Sequence, residues 1–136
     1  MPLERPRETL LLETVLRGGG PRPNLVAAVP LHKSRLRARG YNQAVQLARQ
    51  VDRHLGVPVA PELLCRVRDT AAQQGLDAAA RNSNLRGAFA APHPIVGRRI
   101  LLVDDVMTTG ATARECALVL GAAGAAAVEV AVLGRA

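Results

Sequence analysis

Aromatic side chains are almost missing from this chain: Tyr41 and Phe89 are the only two. A platform for stacking single-stranded bases normally uses several rings, so nucleic-acid contact, if it occurs, has to rest on arginine. Lysine is just as scarce, with Lys33 alone, and the net charge of +7 is carried by arginine. Such an excess suits phosphate-bearing partners, small or polymeric. Cys65 and Cys116 are too few for a four-thiolate zinc site and too far apart for a CxxC redox pair, so both read as reduced structural thiols. No apolar run is long enough for a membrane-spanning helix, and the N-terminus opens with charges and prolines unlike a signal peptide. A cytoplasmic protein is the expectation.

What the chain does have is 136 residues, 49% of them hydrophobic, enough for one core and too few for two ordinary domains. The leucines and valine of residues 7–17 fall at helical spacing and stop at Gly18-Gly19-Gly20, which predicts a short helix and a linker over residues 1–24 ahead of a domain at 25–136. Leu25 to Val29 reads as a buried strand ending at Pro30 and opening into a basic loop. Asn42 to Leu55 repeats apolar residues at three- and four-residue steps and is followed by Gly56, a helix with its stop signal. Val57 to Val67 is expected to contain a strand. Residues 68–87 are polar, arginine-rich and unusually long for a plain connection, as lids often are.

Ile100 to Val103 is a continuous aliphatic run, as in a central parallel strand, with Asp104 expected at its carboxyl end. Thr112 to Leu120 predicts a helix closing at Gly121 or Gly124, and Ala127 to Leu133 a last strand. Strands alternating with helices predict an α/β fold.

The chemistry concentrates in Leu101 to Thr112. Ligands of open α/β sheets bind beyond the carboxyl ends of the strands, where a helix N-terminus offers N–H groups and a positive dipole end to phosphate. Thr108, Thr109 and Thr112 add hydroxyl donors. Gly110 lets the backbone approach phosphate oxygens and tolerates the positive φ of an anion-binding nest. Ionised Asp104 and Asp105 accept hydrogen bonds only, which suits ribose hydroxyls or waters on a divalent cation. A response-regulator receiver also ends a strand in two aspartates, but it needs a downstream lysine, and none follows here. A nucleoside triphosphatase needs GxxxxGK[ST], which does not occur.

That segment resembles the fingerprint for phosphoribosyl pyrophosphate (PRPP) in type I phosphoribosyltransferases. Upstream, Val29-Pro30-Leu31-His32-Lys33 followed by Arg39-Gly40-Tyr41-Asn42-Gln43, and then Arg66, Arg68, Thr70, Gln73, Leu76, Arg81, Asn84, Ala88 and Phe89, are similar to the ComF family of that superfamily. The resemblance implies a mostly parallel, five-stranded sheet flanked by helices. It implies that Asp104, Asp105, Val106, Met107, Thr108, Thr109, Gly110, Ala111 and Thr112 hold the ribose 5-phosphate part of PRPP or a related nucleotide, with Asp104 and Asp105 as catalytic residues. Leu31, His32 and Lys33 fall in its pyrophosphate loop, and Arg66, Arg68 and Arg81 are candidates for a lid over the diphosphate. Mg²⁺ would ride on the diphosphate, with Asp104 and Asp105 as its nearest protein donors. Asn42 suits an N-cap better than a substrate contact, and Gln43 is left open.

The implied activity is transfer of a phosphoribosyl group from PRPP to an acceptor with release of pyrophosphate. The rival expectation is a non-catalytic sensor of PRPP or nucleotide that acts with single-stranded DNA or competence proteins in natural transformation. Type I members are commonly dimers, so the resemblance admits a homodimer. ComF proteins usually begin with a four-cysteine zinc ribbon, and here neither its cysteines nor the N-terminal length is present. A shortened member or a piece of a longer chain are the two readings of that departure.

Overall fold

The aliphatic runs picked out above lie side by side in the computed structural model, which describes residues 9–11, 22–30, 43–60, 62–67, 86–107 and 110–135. Strands β1 (Thr9–Leu11), β2 (Leu25–Ala28), β5 (Arg99–Met107) and β6 (Ala127–Arg135) form one four-stranded sheet in the order β1-β6-β5-β2. All its pairings are parallel. Val59 adds an isolated parallel bridge to Val26 on the outer side of β2, fixed by Val26 N–H to Pro58 O and Ala60 N–H to Val26 O, both 2.9 Å. This short pairing occupies the place of a fifth strand. Strands β3 (Cys65–Arg66) and β4 (Phe89–Ala90) make a separate antiparallel ribbon.

Helix α1 (Gln43–Leu55) buries Ala44, Leu47, Ala48 and Val51, the stripe its three- and four-residue steps predict. It ends as Gly56 takes φ +69° and donates to Asp52 O at 2.7 Å, a left-handed glycine cap. Helix α2 (Ala111–Ala122) joins β5 to the adjacent parallel β6, the strand–helix–strand unit expected of an α/β fold. It runs through Gly121 and is followed by Gly124, which sits at φ +108° where an added Cβ would meet the backbone and side chain of Val96.

Residues alternate along β5 between the two faces. Ile100 and Leu102 pack with Ala113, Cys116, Ala117 and Leu120 of α2, and with Phe89 of the ribbon. Leu101 and Val103 pack with the buried stripe of α1. A continuous aliphatic run is therefore buried on both sides, as a central parallel strand requires.

Two expectations need correction. Thr9–Leu11 is a strand, not part of a helix over residues 7–17. A run with three adjacent leucines satisfies a helical pattern and a covered strand equally, and the edge of β6 at Val130–Val132 decides between them by accepting it in register. The strand carrying the aspartates also extends to Met107 instead of ending at Asp104, because β6 continues alongside as far as Arg135. Among the described residues no helix is long and apolar enough to cross a membrane.

Candidate functional site at the carboxyl end of the sheet

On its β2 side, β5 is paired only as far as Val103, opposite Ala28, and Val29 N–H donates to Val103 O at 3.0 Å. The β2 chain then reaches Pro30, which has no N–H to continue the ladder. On the β6 side pairing runs on through Asp104↔Val132 and Val106↔Gly134 to Met107↔Arg135. The two acids thus lie on the part of β5 that projects beyond β2 while being braced by β6. A carboxylate on such a ledge is anchored through its backbone and still next to the crevice where ligands of open α/β sheets bind.

The strand leads to α2 through Gly110, its N-cap, at φ +81° and ψ 2° with no side-chain cap hydrogen bond. This left-handed backbone is strained for any residue with a Cβ, so the positive φ expected at that glycine is present. Arg114 N–H donates to Gly110 O at 2.9 Å, which starts the helix at Ala111, one residue before the expected Thr112. Ala111 and Thr112 are half-buried in the first turn. Asp104 is half-buried as well and follows Ile100 and Leu102 in the alternation toward α2.

Cys116, fully buried on α2, gives the electrostatic picture beneath the loop. Burial pushes its thiol well above the usual range. The charge of Asp104 raises it further, Arg66 acts in the opposite direction, and Glu115 adds a smaller upward push. Cys116 is a protonated packing group, and neither it nor Cys65 is in a disulfide.

Arg66 belongs to β3, opposite Phe89 in register, with its guanidinium carbon 5.2 Å from the ring centroid. That stacked geometry is favourable for a cation on an aromatic face. This contact is not legible in the sequence, because the ribbon joins residues on either side of a long intervening segment. The ribbon also closes the base of that segment, since Val67 N–H donates to Ala88 O at 2.7 Å.

The predicted residues therefore divide. The structure brings Asp104, Asp105, Val106, Met107, Gly110, Ala111 and Thr112 into one strand–loop–helix corner. Leu31, His32, Lys33, Arg68, Arg81, Thr108, Thr109 and the proposed cap Asn42 lie outside the described residues. No cluster of three or more His, Cys, Asp or Glu side chains occurs among the described residues.

Residues 39–135 match the phosphoribosyl transferase domain. The chain is 40% identical over 125 residues to the DNA utilization protein YhgH of Salmonella typhi, an alignment covering 89% of this chain and 55% of that one. It is 39% identical to Competence protein F of Haemophilus influenzae, over 84% of this chain and 51% of the relative. The chain thus spans about half the length of the curated relatives it matches. Its fold is similar to part of a glutamine PRPP amidotransferase from B. subtilis, TM-score 0.61 at 19% identity, covering 90% of this chain and 25% of that one. The allosteric regulatory enzyme of purine biosynthesis gives TM-score 0.60 at 22% identity, over 90% and 24% of the two chains. With its sheet order, its two-acid strand and its glycine-capped helix, the chain belongs to the phosphoribosyl transferase domain family, as a ComF-type member.

Proposed function

We propose that residues 104–112 bind the ribose 5-phosphate part of PRPP and that the chain transfers its phosphoribosyl group to an acceptor. The observation that carries this is the left-handed Gly110 at the cap of α2, directly after a strand ending that bears two adjacent aspartates. A phosphate would take the backbone N–H groups of the loop and first helical turn. The ribose hydroxyls would donate to Asp104 and Asp105, which as carboxylates can only accept.

In such a transfer the bond from the anomeric carbon to the diphosphate oxygen breaks and the diphosphate leaves with the electron pair. A bond from the acceptor's nucleophilic atom to the same carbon forms, and the acceptor's proton passes to solvent or to a base. No nucleophilic side chain is required, so the protein acts by positioning and by stabilising charge. Mg²⁺ takes hard oxygen donors, and Asp104, Asp105 and the diphosphate oxygens are donors of that kind. When bound, the ion supplies charge neutralisation on the leaving group. Residues 68–85, closed at their base by the Val67–Ala88 hydrogen bond, are the segment from which Arg68 and Arg81 would reach the diphosphate. Leu31, His32 and Lys33, which come after β2 by way of Val29 and Pro30, are the other candidates for contact with the diphosphate. A cytoplasmic setting, where PRPP is available, goes with this reading.

The test is calorimetric titration of PRPP with Mg²⁺ into the chain and into an Asp104→Ala/Asp105→Ala variant checked for fold by circular dichroism. Loss of two hydrogen-bonded acceptors is expected to weaken binding by about 100-fold or more. No binding by the native chain refutes the proposal.

A second reading is favoured by relatives named for DNA utilization and competence. In it the site senses PRPP or a nucleotide without turnover, while arginines engage single-stranded DNA or competence proteins. Salt separates the two, since affinity for DNA falls steeply with ionic strength and affinity for a chelated small ligand falls less.

A further inference from the structure

Two opposite charges enter the core between the sheet and α2 from different sides. Asp104 enters from β5, continuing the row of Ile100 and Leu102, whose side chains belong to that core. Arg66 enters from β3, stacked on Phe89, a ring that packs in the same core as Ala113, Cys116 and Ala117. Arg66 is half-buried and its Nε is shielded from solvent. The fields of both charges fall on one buried group, the Cys116 thiol.

A guanidinium in this setting differs from a loop arginine. It is planar, always charged, and presents its donors in a rigid fork suited to a carboxylate. Stacking on Phe89 removes the freedom that would otherwise be lost on forming that contact. A half-buried carboxylate, for its part, needs a compensating charge or donor.

We infer that Arg66 is a positioning residue for Asp104: held by the Phe89 ring, its guanidinium faces the carboxylate from the core side and leaves the outward lone pairs aimed at the ligand loop. The inference rests on the reading of Asp104 as a ligand-binding residue. It gives Arg66 a fixed role beneath the site in place of a lid role above it. Through Arg66 the ribbon at the base of the long segment is mechanically joined to the acid that meets the sugar.

The experiment is a double-mutant cycle in the full chain with Arg66→Met, Asp104→Asn and the pair, read by urea unfolding and by calorimetric titration of PRPP with Mg²⁺. Expected are non-additive unfolding midpoints and an affinity about tenfold weaker in Arg66→Met. That loss is absent when the substitution is made on the Asp104→Asn background, and it is partly recovered by Arg66→Lys. Additive midpoints, or a loss that persists on Asp104→Asn, overturn the inference. If the native chain does not bind PRPP, the functional reading fails while the unfolding cycle still decides whether Arg66 and Asp104 interact. Should Arg66→Met not fold, Phe89→Leu replaces it: affinity falls on the native background and is unchanged on Asp104→Asn, and any other pattern is negative.

Discussion

Helices α1 and α2 cover opposite faces of one sheet, meeting on β5, with different kinds of sequence. Gln46, Arg49, Gln50, Arg53 and His54 of α1 face water, and its buried stripe packs with Val26, Leu101, Val103 and Ala131 of the sheet. On α2 only Arg114 and Ala122 are exposed, because the ribbon and the 95–97 turn cover it in addition to the sheet: Ile95 N–H donates to Ala123 O at 3.0 Å. Its buried positions are small, Ala113, Cys116, Ala117 and Gly121, with Leu120 the one large residue. The face under α1 is mostly hydrophobic, with Glu129 of β6, in register with Leu101, buried on it. The face under α2 is flanked by two half-buried charges, Asp104 and Arg66.

The comparison can be broken first by truncation. Leu120→Ala leaves a hole in a region clamped from several directions, and a loss near the upper end of the usual range of about 2–5 kcal/mol is expected. Leu47→Ala, under a helix free to settle, should fall near the lower end. Urea unfolding of both variants measures the contrast, and equal losses would show that the two faces are equally deformable.

The glycines that follow the two helices sharpen it. Gly56 has open space where a Cβ would stand, whereas a Cβ on Gly124 would meet Val96 at 2.9 Å from its Cγ2 and 3.0 Å from its Cα. Both have positive φ, so alanine costs about 1–2 kcal/mol at Gly56 from backbone strain alone and at least about 1 kcal/mol more at Gly124. Thermal unfolding of the two variants compares them.

The smallest effect concerns pH. Cys116 keeps its proton in the fold, whereas in the unfolded chain it ionises near its ordinary 9.0. The stabilisation is complete below that pH. Above it the unfolded state sheds a proton that the folded state retains, so stability falls as pH rises, by at most about 1.4 kcal/mol per pH unit. Unfolding free energy from about pH 8 to about pH 10.5 should therefore decline more steeply in the native chain than in Cys116→Ala, and parallel curves would show a thiol open to solvent.

The same contrast governs what was legible in the sequence. The stripe of α1 and its glycine stop can be read directly, because a helix with one wet face writes its period into the chain. For α2, covered on more sides, the Gly110-to-Thr112 start was more informative than any period. The aliphatic runs of β2, β5 and β6 were legible as strands, and so was the positive φ of Gly110, which follows from local backbone chemistry. Thr9–Leu11 was misread because three residues carry no period of their own. The extension of β5 to Met107 and the seat of Arg66 on Phe89 are settled by partners distant in the chain, Arg135 in one case and the far strand of the ribbon in the other.

Parallel pairing also sets the order in which this protein comes into being. Leu25 waits for Ile100 as its neighbour, and Thr9 waits for Val130, so both strands lack their sheet neighbours until segments far along the chain have been made. Contacts so remote in sequence form slowly, after a large loop-closure cost. Until β5 arrives, Leu25–Ala28 has, among the described residues, the single bridge from Val26 to Val59 as its strand pairing, and the order β1-β6-β5-β2 makes β6 the strand that joins β1 to the rest of the sheet.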